Sequence, residues 1–168
     1  MAQQPNLLNK FIVKIAASGP GSWLFSKILH HIDPAAFRMT GGRRTLTSVL
    51  TGLPIVMLTT IGRKSGQPRT LPLLGVRDGE NAGVFALIAS NCGQQRNPGW
   101  YYNLKANPWA TCVIDGVSGE YVAREAEGAD YERFWRYAVA VYPGFPQYKK
   151  RAAGRHIPIM VMTPAAKG

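Results

Sequence analysis

Six short apolar runs, each closed off by turn residues, recur from position 54 onward: residues 54–61, 71–76, 84–90, 111–115, 117–124 and 157–163. They are rich in β-branched and aliphatic side chains, and Asp78-Gly79 and Asp115-Gly116 give hairpin turn signals between neighbours. Strands that follow one another through tight turns pair antiparallel, so this order predicts a meander and not alternating βαβ units. Two helical segments interrupt it. One covers residues 98–106 and stops at Asn107-Pro108; the other covers residues 131–142, with Asp130 as its N-cap and Pro143 as its stop. The expected class is mainly β with helices (α+β), a small barrel with helices against it.

A chain of 168 residues buries a core without metal or disulfide staples, and 46% hydrophobic with 17% charged residues is the composition of a folded domain. The expected organisation is an N-terminal helical arm over residues 1–50 and a barrel domain over residues 51–168. In the arm, Phe11, Ile12, Ile15, Trp23, Leu24, Ile28 and Leu29 interleave with Lys10, Lys14 and Lys27 around a break at Gly19, Pro20 and Gly21. That is the pattern of two short amphipathic helices. They either pack on the body as a lid, the simpler reading, or touch a membrane surface, where Trp and Lys are favoured. No apolar run approaches the roughly 20 residues that span a bilayer, and Lys14 interrupts the one stretch resembling a signal-peptide core. A cytoplasmic location is expected.

Charge narrows the partners. Twenty Lys and Arg against nine Asp and Glu give a formal net charge of +11, which favours a polyanion: nucleic acid, an acidic membrane face or a multiply charged cofactor. Cys92 and Cys112 form no C-x-x-C pair, and His30, His31 and His156 show no ligand spacing, so inert thiols and no metal are expected. Ser90 lies outside any G-x-S-x-G, GRKSG lacks Walker A spacing, and no G-x-G-x-x-G follows a strand. With these excluded and acids scarce, redox or transfer chemistry has to come from a bound cofactor.

Two segments carry the binding chemistry. IGRKSGQPRTL, residues 61–71, sets Arg63, Lys64 and Arg69 among Gly62, Gly66 and Pro68 in the connection of a hairpin. Glycines let backbone N–H groups approach a ligand, Lys64 gives a point charge, and each arginine offers a planar fork to phosphate or carboxylate oxygens. SNCGQQRNPGWYYNLKANP, residues 90–108, then ends a strand at Ser90 and opens a short helix with Trp100, Tyr101, Tyr102 and Asn103, whose N-terminus can receive negative charge. Three successive aromatics on a helix cannot all face inward.

These residues resemble a known family. LTTIGRKSGQPRTLPLL together with NPGWYYNLKANP, VYPGFPQY and the terminal IPIMVMTP is similar to the deazaflavin-dependent nitroreductase family, over residues 54–164. The resemblance implies a split β-barrel, like that of FMN-binding and pyridoxamine-phosphate-oxidase proteins, that binds coenzyme F420. It implies hydride transfer from the reduced deazaflavin to a quinone, an activated alkene such as an enone, or a nitro compound. By match to the family's motifs, Met57, Leu58 and Thr59 line the deazaflavin ring. Arg63, Lys64, Ser65, Gly66, Gln67, Pro68 and Arg69 hold the phosphate and the acidic tail, and Ala89, Ser90, Asn91, Trp100, Tyr101 and Asn103 complete the cofactor site. Ser90, Tyr142 and Tyr148 are the catalytic candidates, and Tyr142, Phe145 and Tyr148 line the acceptor pocket.

Two departures from the family pattern bear on activity. Phe145 stands where nitro-reducing relatives carry a tyrosine, so weak activity on bulky nitro compounds is expected. Asn91 and Cys92 replace a Lys and a Gly, removing a cofactor-side charge that Arg96 is placed to offset. Other readings are an FMN- or haem-binding split barrel, and a non-catalytic basic module using Arg43, Arg44, Lys149, Lys150 and Arg151 on nucleic acid or acidic lipid, which ranks below the enzyme.

Overall fold

The computed structural model describes residues 53–166. The arm expected over residues 1–50, with its lid or membrane role, lies outside the described residues, as do Arg43 and Arg44. Six strands form one closed barrel in the order β1-β2-β3-β6-β5-β4, with β4 returning to β1. They are β1 (Ile55–Ile61), β2 (Pro68–Arg77), β3 (Phe85–Ile88), β4 (Trp109–Ile114), β5 (Val117–Glu125) and β6 (Ile159–Pro164). All pairings are antiparallel, as the meander pattern predicts. Three helices complete the body: α1 (Gly99–Ala106), α2 (Gly128–Val141) and α3 (Phe145–Arg151). None is long and apolar enough to cross a membrane.

The strands divide their side chains by alternation. Val56, Leu58, Phe85, Leu87, Cys112, Met160 and Met162 fill the barrel interior, closed at one end by Trp100 and Leu104 of α1. Ala86, Ile88, Ile159 and Val161 face the other way and pack beneath α2 and α3 with Phe134, Ala138, Phe145 and Tyr148. Strands β3 and β6 are thus buried on both faces, which explains why FALI and IMVM are unbroken apolar runs. The two cysteines are free thiols; burial pushes that of Cys112, inside the barrel, up to about 12.

Asp115 and Gly116 hold φ of 51° and 82° and join the paired residues Ile114 and Val117, the two-residue turn that Asp-Gly favours. Other expectations need correction. Asp78-Gly79 is not a tight hairpin turn: it opens a longer connection, residues 78–84, tied by the Asp78 N–H to the Val84 carbonyl at 2.9 Å. Strand β2 starts at Pro68, three residues early, because Pro68 and Arg69 pair with Ile61 and Thr60. Asp130 is not the N-cap of α2. Glu127 occupies that position, and the Asp130 carboxylate in the first turn takes Arg124 at 2.5 Å and Arg133 at 3.0 Å. Helix α3 was hidden by the Pro-Gly-x-Pro pattern of residues 143–146. Pro146 sits in its first turn, where the missing N–H breaks no helical bond.

Candidate cofactor and acceptor site

The candidate residues gather at one end of the barrel, where β1 turns into β2, where β3 ends, and where α1 and α3 sit. The hairpin there is closed by its own backbone. Gly62 donates to the Gln67 carbonyl at 2.8 Å and accepts from Ser65 and Gly66 at 3.1 and 2.8 Å. The Arg63 N–H goes to Asn103 Oδ1 at 3.1 Å, and the Gln67 N–H points at Ser65 Oγ at 3.4 Å. Five of the six loop amides are therefore spent inside the protein, which corrects the expectation that they cradle an anion. Gly62 has a different use: a Cβ there would lie 2.7 Å from Ser65 Oγ and 3.2 Å from the Gln67 carbonyl, so a side chain would displace the serine.

What the hairpin offers instead is side-chain charge. Arg63, Lys64 and Arg69 are exposed and, like Arg96 in the loop leading to α1, form no ion pair among the described residues. Access is open beside them, since a Cβ on Gly66 or Gly99 would meet nothing within 4 Å. A flexible, multiply anionic group fits such a surface, because its charges meet cations that no carboxylate neutralises.

Asn103 links this hairpin to α1. Its Oδ1 holds the Arg63 amide while its Nδ2 donates to the buried Thr60 hydroxyl at 3.0 Å. The Arg63 guanidinium in turn lies 4.7 Å over the Tyr102 ring. Tyr102 has no assigned role in the sequence reading beyond its place in an aromatic run. Of its neighbours, Trp100 is buried in the barrel core, and half-buried Tyr101 donates its hydroxyl to Glu125 at 3.1 Å. Along β1, Leu58 points into the barrel, while Met57 and Thr59 share the outer face, Thr59 bonded to the Thr70 hydroxyl at 2.8 Å.

The loop after β3 carries Ala89, Ser90 and Asn91. Ser90 is 8% exposed, and its carbonyl accepts from the Gly93 N–H at 2.9 Å and from Arg155 at 2.8 Å. The Asn91 amide donates back to the Arg96 carbonyl at 2.8 Å. Against this loop stands α3: a Cβ on Gly93 would meet Arg151 Cβ at 2.7 Å and the Tyr148 carbonyl at 2.9 Å.

Tyr142, Phe145 and Tyr148 come together as one aromatic cluster. The two phenol oxygens are 3.0 Å apart, and the Phe145 ring stands edge-on to both, at 5.3 and 6.1 Å. Burial raises both phenols above their ordinary value, and it raises the adjoining Cys92 thiol, which the Tyr148 hydroxyl reaches. Among the described residues no group of three His, Cys, Asp or Glu side chains is placed to hold a metal ion.

Comparison with known proteins places this geometry in a family. The family model described as F420H(2)-dependent quinone reductase matches residues 31–164. The F420H(2)-dependent quinone reductase Rv1261c of Mycobacterium tuberculosis is 34% identical over 141 residues, covering 80% of this chain and 89% of the relative. Among solved structures, the F420-H2 dependent reductase FDR-A superposes with a TM-score of 0.59 at 37% identity, covering 66% of this chain and 94% of the other. A chain described as a domain-swapped dimer gives 0.61 at 32% identity, covering 86% and 100%. The matched segment contains the whole barrel, the cationic hairpin and all three helices, so the chain belongs to the F420H(2)-dependent quinone reductase family, oxidoreductases whose cofactor is coenzyme F420.

Proposed function

We propose that this enzyme reduces quinones with F420H2, with enones and nitro compounds as further acceptors, nitro compounds the poorest. The observation that carries the reading is the set of cations on the β1–β2 hairpin that meet no carboxylate among the described residues, beside open backbone at Gly66 and Gly99. Arg63, Lys64 and Arg69 hold the phosphate and acidic tail, with Ser65, Gly66, Gln67 and Pro68 shaping the turn. Asn103 and Tyr102 aim Arg63. Met57 and Thr59 border the ring from the outer face of β1, with Leu58 between them offering its backbone, and Ala89, Ser90 and Asn91, with Tyr101, close the other side, backed by Trp100 from the barrel core.

When bound, the reduced deazaflavin supplies the hydride. A quinone that accepts a hydride also needs a proton to become the hydroquinone. In the Tyr142–Tyr148 pair, kept protonated by burial, one phenol donates to the other and the second has its O–H left for the oxygen that gains charge, passing on a proton that solvent then restores. Phe145 walls the acceptor pocket without a hydroxyl, which is why nitro reduction is placed last. The cytoplasmic location and the arm–barrel division belong to the same proposal, with the arm read as a lid on the body and, second to that, as a membrane contact through Trp23 and its lysines.

The test is titration with oxidised F420, followed by quenching of its fluorescence, with FMN in parallel. Removing both charges in Lys64→Ala/Arg69→Ala is expected to weaken F420 binding by about tenfold or more, with a smaller loss at high salt. Equal binding of F420 by the double variant, or a preference for FMN, would sink the reading.

A further inference from the structure

The loop of residues 89–97 has a costly backbone. Asn91, Cys92 and Gly93 hold φ of 47°, 53° and 81° in succession. Gly and, to a lesser degree, Asn adopt the left-handed region readily, but for Cys92 it is unfavourable and persists only where the surroundings over-determine it. Local bonds supply part of that: Gln94 N–H to the Asn91 carbonyl at 3.0 Å and Asn91 Nδ2 to the Arg96 carbonyl at 2.8 Å.

The rest comes from one guanidinium beyond α3. Arg155 donates through Nε to the Gln94 carbonyl at 2.9 Å and through Nη2 to the Ser90 carbonyl at 2.8 Å. Its Nη1 reaches the Ala89 carbonyl at 3.4 Å, the His156 carbonyl at 3.2 Å and the Asn97 Oδ1. Four of these five acceptors belong to the loop, from its first residue to its last. All five are neutral, and among the described residues Arg155 pairs with no carboxylate. Partial burial even pulls its pKa down. An ion pair therefore does not explain why it is here. A planar fork with five donors on three nitrogens does, because its fixed, spread directions reach acceptors from one end of the loop to the other, whereas an ammonium has three donors on a single nitrogen.

The geometry points to Arg155 as a positioning residue for the reductase reaction: it collars residues 89–97 so that Ser90 and Asn91 are held toward the cofactor. The inference rests on the reading of Ser90 and Asn91 as cofactor-side residues. Its test uses the full chain and the variants Arg155→Met and Arg155→Lys, with amide hydrogen exchange of the cofactor-free protein, F420 titration, and kcat and KM measured separately.

In Arg155→Met, exchange in residues 89–97 is expected to rise several-fold while the barrel strands stay protected, and kcat/KM to fall at least tenfold with partial rescue by millimolar free guanidinium. Arg155→Lys, which keeps the charge but not the fork, should loosen the same loop and serves where the Met variant fails to fold. Unchanged loop exchange in a folded variant overturns the collar, and so does a rise spread evenly over the barrel. A loosened loop with unchanged F420 affinity and kcat overturns its role in the reaction. Failure of the wild type to bind F420 would instead sink the reading of the site, while loop exchange still judges the collar.

Discussion

Asn103 shows how much one side chain can be asked to do. It holds the Arg63 amide with its oxygen and the buried Thr60 hydroxyl with its nitrogen, so Asn103→Leu strands a buried hydroxyl and an amide together. The expected cost is about 1–3 kcal/mol of stability, read by denaturant unfolding, with weaker F420 binding because Arg63 loses its anchor. The substitution Asn103→Asp keeps the acceptor but not the donor and should preserve the hairpin only in part. A second prediction concerns protons. Burial raises Tyr142 and Tyr148 above the ordinary phenol value of 10.0, so neither loses its proton below that pH. The pH profile of kcat should show no phenol ionisation between neutrality and that value, and Tyr148→Phe should lower kcat without adding a new inflection. A mildly alkaline inflection that disappears in the Phe variants would contradict the burial argument.

Among the elements, α3 depends most on a glycine. A Cβ on Gly144 would lie 2.4 Å from the Tyr142 ring, so Gly144→Ala forces the aromatic cluster apart at about 1–3 kcal/mol, measurable as a lower Tm and a weakened near-UV circular dichroism signal. The strands and the first two helices were legible in the sequence because apolar, β-branched runs and the residues that end them report local preference, although the Asp78-Gly79 signal opens a longer connection instead of a tight turn. The cationic hairpin was legible because its charges sit together in sequence and meet no carboxylate among the described residues. Other features were not. Prolines and a glycine at residues 143–146 read as breakers, though Pro146 only starts a helix. The engagement of the Arg63 amide depends on Asn103, 40 residues away. Arg155 lay in a basic run that reads as a solvated face, and its acceptors are carbonyls 61 and 66 residues away, which no composition or spacing reveals.

Taken whole, the barrel carries an ion-paired cluster at the end away from its cationic hairpin. Asp78, Glu80 and Asp115 lie at the turns opposite the cationic hairpin and are met there by Arg77 and Arg133. Burial works to raise Asp78, yet hydrogen bonds from Asn81, the Glu80 N–H and Arg133 hold it below its ordinary value of 3.8. Bonds from Arg124 lead those that hold Asp130 below the same value. A depressed carboxylate contributes stability that is complete above its unfolded value and is lost as pH falls through its folded one. Arg133→Met should therefore lower Tm at neutral pH, and the gap to wild type should close as the pH drops below 3.8. A gap that persists in acid would mean that packing of Arg133, and not its charge, holds the connection. The seating of α3 on the Asn91–Gly93 turn reaches further. One short turn carries the proposed cofactor contacts on one side and bears the proposed acceptor wall on the other, so whatever settles α3 also settles the turn. Thermodynamic reciprocity then requires that an acceptor analogue which tightens F420 binding by some factor is itself bound more tightly, by that same factor, when F420 is in place.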